Sequence, residues 1–317
     1  MRAVTYDAYG PPSVLRFAEV DRPVPRADEV LVAVHAVSVN ASDWETLIGR
    51  PLYSRIGGLR RPRFATLGSD IAGRVEAVGP AVTRFQVGDE VFGDNLERKG
   101  GFAEYAIARE RVLAPKPPGL SFEEASALPQ AAVIALQGIR TRGRVRSGQR
   151  VLVNGAGGGT GAYAIQLAKL DGAEVTGVDN TAKLDFMRTV GADHVLDYTQ
   201  TDFTRAGSRY DLVLDLAGHH SVLAHRRALA PGGRYLWVGG SVGTLFQVLL
   251  AGPLVGRQRL LVVRPNTSDL LAMADLCLAG TVVTHIDRRF PLEEVPAALR
   301  HLGEGRALGK VVVTVSS

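Results

Sequence analysis

The sequence predicts an α/β protein: a doubly wound parallel sheet covered by helices, joined to a mostly antiparallel, barrel-like β domain. Three observations carry this prediction. From about Gln149 onward, short β-branched runs alternate with amphipathic segments. The glycine-rich stretch 154-NGAGGGTGAYAIQLAK-169 stands between one such run and a helix-like apolar pattern. The first 120 residues instead hold short β-rich runs punctuated by Gly and Pro. A chain of 317 residues is long for a single core, so about two domains are expected.

In the first part, the strand candidates are EVLVAVHAVSVN, IAGRVEAVG, DEVFG and AEYAIA, a pattern that suits antiparallel pairing. In the second they are QRVLVN, AEVTGVD, HVLDY, YDLVLDLA, RYLWVGG and RLLVV. Helices are expected over 159–170 and 181–190, the latter stopping at Gly191. Ala164, Ile165, Leu167 and Ala168 put one apolar face of the first helix against a sheet. Nearly continuous apolar strands alternating with helices indicate a parallel sheet buried on both faces. The closing stretch 281–315 reads as strand, helix, strand and carries no nucleotide signal.

Composition narrows the function. Hydrophobic residues make up 46% and charged residues 22%, as in ordinary globular proteins. The net charge of +5 comes from scattered arginines, without the basic stripe and interleaved aromatics of a nucleic-acid surface. Cys277 is the single cysteine, which excludes disulfides and thiolate metal clusters and fits a reducing cytoplasm. No export signal is expected at the N-terminus. The uncharged run between Arg234 and Arg257 approaches membrane-span length, but Gly239, Gly240, Gly243, Gly252 and Pro253 argue for a buried strand instead.

The glycine stretch follows a strand and opens a helix, the context that a dinucleotide fingerprint requires. Its spacing, Gly155-x-x-Gly158-x-x-Gly161, varies the usual G-x-G-x-x-G. One glycine makes the tight turn, one admits the pyrophosphate, and one lets helix and strand pack closely. The helix N-terminus offers unpaired N–H groups to the anion. Asp179 ends the next strand 24 residues after Gly155, where an acid holds ribose hydroxyls. A second reading has Asp179 capping the helix that starts at Thr181.

With these elements in order, the chain resembles the medium-chain dehydrogenase/reductase superfamily, and within it the zinc-free quinone oxidoreductase and enone reductase branch. The likeness spans nearly the whole chain. It rests on 37-VSVNASD-43, 67-LGSDIAGRVEAVG-79, 87-VGDEVFG-93, 101-GFAEYA-106, 128-LPQAAVIAL-136, the glycine loop, 191-GADHVLDY-198 and 309-GKVVV-313. The resemblance implies a Rossmann-type nucleotide domain over 123–266. It also implies a GroES-like catalytic domain over 1–122, completed by a return segment over 267–317.

Zinc-using members carry Cys, His and usually Cys where this chain has Asn40, Ser69 and Gln130, and 94-DNLERKG-100 lacks their four-cysteine lobe. A catalytic zinc needs three protein ligands, so no metal is expected. His219 and His220 lack a third partner and read as a solvated helix start. Reduction of a conjugated carbonyl can proceed on hydrogen-bond donors instead of a Lewis acid. The resemblance places Asn40 at the nicotinamide and substrate, and makes Tyr53 a donor to the carbonyl or the proton source. Carried onto this chain, the cofactor contacts fall on Asn40, Ile134, Gly155, Gly157, Gly158, Gly159, Thr160, Gly161, Asp179, Asn180, Lys183, Tyr198, Ala217, Gly239 and Ser241. Ile134 stands where relatives often have Thr, and 49-GRPLYSRIGGLRRPRF-64 departs from the quinone reductases, which leaves the substrate pocket open.

The cofactor signals conflict. Asp179 favours NADH, whereas Lys183 and Tyr198 fall where NADPH-using relatives hold the 2′-phosphate, with Asn180 and Thr181 as further donors; NADPH is expected. The leading function is a cytoplasmic, metal-free NADPH-dependent reductase of a small hydrophobic quinone or α,β-unsaturated carbonyl. The alternatives are an enoyl-thioester reductase, with Arg55, Arg60, Arg61 and Arg63 as candidates for its carrier cleft, and a nucleotide-binding sensor or structural protein without turnover. Neither a nucleic-acid partner nor a membrane span is expected. A homodimer is, through 259-RLLVV-263 at the sheet edge.

Overall fold

Buried β-branched runs decide the architecture of both halves of the chain. The computed structural model describes residues 1–56, 58–218, 220–238, 258–260 and 266–315. The chain divides into two units, Met1–Ala131 with Pro265–Gly280 and Ile286–Ser317, and Ala132–Arg264 with Thr281–His285.

The second unit carries a six-stranded parallel sheet. In spatial order its strands are His194–Asp197, Glu174–Asp179, Arg150–Asn154, Tyr210–Asp215, Leu229–Trp237 and Gln258–Leu260. Numbered along the sequence this is the order 3-2-1-4-5-6 of a doubly wound nucleotide-binding sheet. Val151, Leu152 and Val153 are all fully buried, as strands covered on both faces must be. Order reverses between Arg150–Asn154 and Tyr210–Asp215, so the crevice for a ligand opens at Asn154 and Asp215. The helix Gly159–Leu170 has the limits that its apolar period predicts. The segment expected as one helix over 181–190 is a 3-10 turn, Thr181–Lys183, leading into the helix Leu184–Thr189.

The first unit is built on a seven-stranded mixed sheet. Ile286–Pro291 runs parallel to Lys310–Thr314, which pairs antiparallel with Glu29–Val39. Asp70–Val78, Glu90–Asp94 and Leu113–Pro115 follow in antiparallel order, and Tyr105–Arg109 pairs with the start of Glu29–Val39. The core of this unit includes Val30, Val32, Val37, Ile71, Val91, Leu113, Val311 and Val313. Each such side chain, once buried, contributes on the order of 1.5–3 kcal/mol.

Register in this sheet determines what stands at one of its ends. Val39 faces Val311, Ser38 faces Asp70, and Asp70 faces Asp94. The strand that opens with Lys310, the one that ends just before Asn40, the one that opens with Asp70 and the one that ends with Asp94 therefore bring those four residues together. Asn40 then starts the helix Ala41–Ile48, which closes at Gly49 in the left-handed conformation.

Candidate active site

The second unit forms a cradle for a nucleotide. Gly155 takes a φ of 84°, a left-handed backbone that suits glycine, and turns the chain off its strand. Its N–H and that of Ala156 donate to the Val178 carbonyl at 2.9 and 3.1 Å, folding the loop over the neighbouring strand. Gly158 is the extended N-cap of Gly159–Leu170, with no side-chain cap bond. The N–H groups of Gly159, Thr160 and Gly161 precede the first helical bond, Ala162 N–H to Gly158 carbonyl, and have no helical acceptor. Donors left without helical acceptors in this way are what an anion site at a helix N-terminus requires. At Gly161 a Cβ would stand 2.4 Å from the Ala156 carbonyl oxygen, so helix and loop pack too closely for any side chain. Ala217 lies beside this turn, since a Cβ on Gly155 would meet the Ala217 Cβ at 3.6 Å.

At the end of the second strand, Asp179 Oδ2 accepts the Gly157 N–H at 2.9 Å, and Oδ1 accepts the Asn180 N–H at 2.9 Å. Lys183 Nζ lies 3.8 Å from Asp179 Oδ1, and both side chains are buried. The helix cap is Asn180, whose Oδ1 accepts the Ala182 N–H, so the reading of Asp179 as that cap is corrected. The Thr181 hydroxyl donates to the Asp197 carboxylate. Tyr198 is half exposed, and its N–H donates to the Asp179 carbonyl at 3.1 Å. Glycine loop, Asp179, Asn180, Lys183 and Tyr198 are therefore neighbours. Ile134 lies half-buried on the helix Ala131–Leu136. Gly239 and Ser241 lie outside the described residues, as do 261–263 of the expected edge strand.

Beneath the crevice, Asp215 is fully buried. It accepts from the Asn154 amide at 2.8 Å, the Tyr235 hydroxyl at 2.7 Å and the Ala217 and Gly218 N–H groups. Burial raises its pKa, yet His225, 3.2 Å away, and these donors outweigh that and hold it at about 2. His220 packs edge-on against Phe203, with ring centroids 5.0 Å apart, and Ser221 caps the following helix. His220, partly exposed, directly precedes this cap at the helix start; His219 lies outside the described residues.

The first unit gathers a buried polar cluster at its sheet end. Lys310 Nζ donates to Asn40 Oδ1 at 2.6 Å and stands 4.0 Å from Asp70 Oδ2. The Ser38 hydroxyl and the Gln130 N–H donate to Asp70 Oδ2 at 3.2 and 3.0 Å. The Gln130 amide nitrogen donates to Ser69 Oγ at 3.0 Å and Asp94 Oδ1 at 3.3 Å, while its Oε1 accepts from Ser42. Asp43 accepts from the Asn40 N–H, the Gly68 N–H and Lys99 Nζ. Burial, then Asp94, drives the Asp70 pKa up, and burial drives Asp94 up and Lys310 down. Two polar atoms stay without a hydrogen-bond partner here, Asn40 Nδ2 and Asp70 Oδ1, although Asn40 is near enough to favour the charged form of Asp70. Tyr53 is half-buried on the 3-10 turn Leu52–Arg55 after the Asn40 helix.

Asn40, Ser69 and Gln130, the positions of zinc ligands in the wider superfamily, are hydrogen-bonded into this cluster beside an ammonium group. Such a set does not suit zinc, which takes thiolate, imidazole or carboxylate ligands. Among the described residues, no three His, Cys, Asp or Glu side chains are grouped to hold a metal ion. The glycine cradle does fit a dinucleotide: a Cβ on Gly158 would meet nothing nearer than 3.7 Å, so the loop face is open, and the helix N–H groups beside it have no helical acceptor. A nicotinamide cofactor held there would supply a hydride.

Sequence reasoning missed Lys310, Asp70, Asp43 and Lys99 as members of the site. Signals pointed to two of them: Asp70 directly follows Ser69, and Lys310 opens a strand whose next three residues are valines.

Fold and cradle define a dinucleotide-binding protein. Comparison with known proteins narrows this. The alcohol dehydrogenase GroES-like domain family matches residues 26–118, and the zinc-binding dehydrogenase family matches residues 190–313. A chloroplastic quinone-oxidoreductase homolog of Spinacia oleracea is 32% identical over 99% of this chain and 98% of its own. A 2-methylene-furan-3-one reductase of Solanum lycopersicum is 33% identical over 99% of this chain and 79% of its own. The quinone oxidoreductase structure from Coxiella burnetii superposes with a TM-score of 0.91 at 29% identity, covering 100% of this chain and 99% of that one. The chain belongs to the medium-chain dehydrogenase/reductase superfamily, in its zinc-independent quinone and enone oxidoreductase branch, and is an NAD(P)H-dependent hydride-transfer enzyme. The expected cytoplasmic location is overturned by the spinach relative and by similar proteins of Arabidopsis thaliana and Triphysaria versicolor, which are chloroplast proteins. Among the described residues no helix is long and apolar enough to cross a membrane.

Proposed function

We propose that the chain reduces small quinones and α,β-unsaturated carbonyls with NADPH, using Asn40 as donor to the reacting carbonyl and Tyr53 as proton source. One observation carries this reading: the Asn40 amide is buried, its oxygen is taken by Lys310, and its Nδ2 has no partner. A buried donor without an acceptor costs about 1–3 kcal/mol, a cost removed when a ligand oxygen arrives. Conjugate reduction moves negative charge onto that oxygen, so the Asn40 bond strengthens toward the transition state. The Tyr53 phenol then gives a proton to the resulting enolate or hydroquinone anion.

The preference for NADPH rests on Lys183, which stands at Asp179 and near Tyr198, at the end of the strand where the adenosine ribose is recognised. The glycine loop, with Asp179, Asn180, Lys183, Tyr198, Ala217, Gly239 and Ser241, is assigned to the cofactor, and Ile134 to the nicotinamide end. A homodimer is proposed through 259-RLLVV-263; Gln258–Leu260 is the last strand of the parallel sheet among the described residues, which is what supports this reading.

The test is a screen of NADPH and NADH oxidation against quinones, enones and enoyl thioesters. Turnover of quinones or enones with NADPH is expected. Preference for enoyl thioesters would favour the carrier-linked alternative, and tight nucleotide binding with no turnover would favour a sensor.

A further inference from the structure

Asn40 presents an amide, and an amide has two ends. An ammonium group has only donors, so Lys310 fixes the Asn40 oxygen on its own side. Asp70, on the adjacent strand, stands 4.0 Å from Lys310 Nζ and has Oδ1 unpaired. The Lys310 charge orients the amide dipole, with oxygen toward the cation and Nδ2 left without a partner. Lys310 is 3% exposed, and Ser38, Gln130 and the strand register hold Asp70 in place. Burying a lysine is costly, and the buried residues that follow this one in its strand, Val311, Val312 and Val313, are all apolar. Its retention there needs a function.

We propose that Lys310 is a positioning residue for the reduction: its buried ammonium locks the Asn40 amide with Nδ2 presented as a donor, and polarises that donor. The inference rests on the reading of Asn40 as the group that contacts the reacting carbonyl. Without the ammonium, the amide can turn over, presenting oxygen to oxygen. The charged groups around the pair are Asp70, Asp94, Asp43 and Lys99, and none of them bonds Asn40 Oδ1 in its place.

The experiment measures NADPH oxidation with p-benzoquinone, and NADPH affinity by fluorescence titration, in five variants. Lys310→Met should lower kcat about ten- to a hundred-fold, the range expected when a catalytic donor is misplaced, with NADPH affinity unchanged. Lys310→Arg, which keeps a donor and a charge, should recover part of the loss. Asn40→Ala should be impaired, and Lys310→Met added to Asn40→Ala should cost nothing further. Should Lys310→Met fail to fold because it strands Asp70, Lys310→Met with Asp70→Asn removes both charges and should show the same loss of kcat. Equal losses from removing Lys310 with and without Asn40, or none in either background, would overturn the inference. An impaired Asn40→Ala beside an unimpaired Lys310→Met would overturn only the role of Lys310. A fully active Asn40→Ala would overturn the reading of Asn40 and the inference together.

Discussion

The Gly157 N–H donates to Asp179 Oδ2 at 2.9 Å, tying the glycine loop to the acid at the end of the next strand. Lys183 completes this clasp: a Cβ on Gly157 would stand 2.5 Å from the Lys183 Cδ. The residues that argue for NADH and for NADPH are therefore one ion-paired unit.

From this pairing, Lys183→Ala should weaken NADPH binding about ten- to a hundred-fold while leaving NADH nearly untouched, since a charge-assisted hydrogen bond is worth roughly 1.5–3 kcal/mol. Asp179→Ser should shift preference toward NADPH, because serine still offers an oxygen to Gly157 but no charge to repel a phosphate. Equilibrium titration with both cofactors checks this. Equal losses for both on removing Lys183 would transfer the assignment to NADH.

Gly158→Asp should abolish cofactor binding without unfolding the chain. A Cβ there meets nothing nearer than the Gly155 carbonyl oxygen at 3.7 Å, so the side chain is accommodated. Its carboxylate would stand beside the N–H groups that receive the pyrophosphate. Gly161→Val, by contrast, should destabilise the fold, since its Cβ would overlap the Ala156 backbone. Circular dichroism melts beside the binding assay separate the two effects.

What the sequence disclosed and what it hid follow from distance along the chain. The glycine loop, its helix and Asp179 fall within one strand–helix–strand unit, and local period and spacing were enough to place them. The Lys310–Asn40 bond joins residues 270 positions apart, and only the register of the mixed sheet brings them together. The strand expected to begin at Arg234 begins at Leu229, because Leu229 pairs with Tyr210 and Arg234 with Leu212. Between them Pro231, Gly232 and Gly233 form an irregularity that reads locally as a break. The helix Thr267–Leu278 carries a visible cap at Asn266, whose side chain accepts the Ser268 N–H, and was passed over within the return segment.

Stability should carry the mark of carboxyl groups raised by burial. Burial lifts the Glu45 pKa to about 7, only partly offset by Lys99, and Asp70 and Asp94 move in the same direction. A carboxyl raised in the folded state stabilises below its unfolded pKa and loses that contribution as pH rises through the folded value. His35 and His285, lowered by burial, act in the opposite sense. The clean measurement is therefore a difference: from pH 5 to 8, Glu45→Gln should gain urea resistance relative to the wild type. A difference that does not vary with pH would contradict the assignment.

Pairing of the Gln258–Leu260 edges across a two-fold axis should give a dimer in sedimentation velocity at micromolar concentration. A proline at Arg259, which removes a ladder donor, should shift it toward monomer. A wild-type chain that sediments only as monomer would count against this mode of assembly.

The central claim is reduction carried by amide and ammonium groups in place of zinc. It is tested most directly by steady-state NADPH oxidation with p-benzoquinone before and after exhaustive chelation, with zinc measured in the same sample. The expected result is unchanged turnover without stoichiometric zinc. Chelator-sensitive turnover restored by added zinc would contradict it.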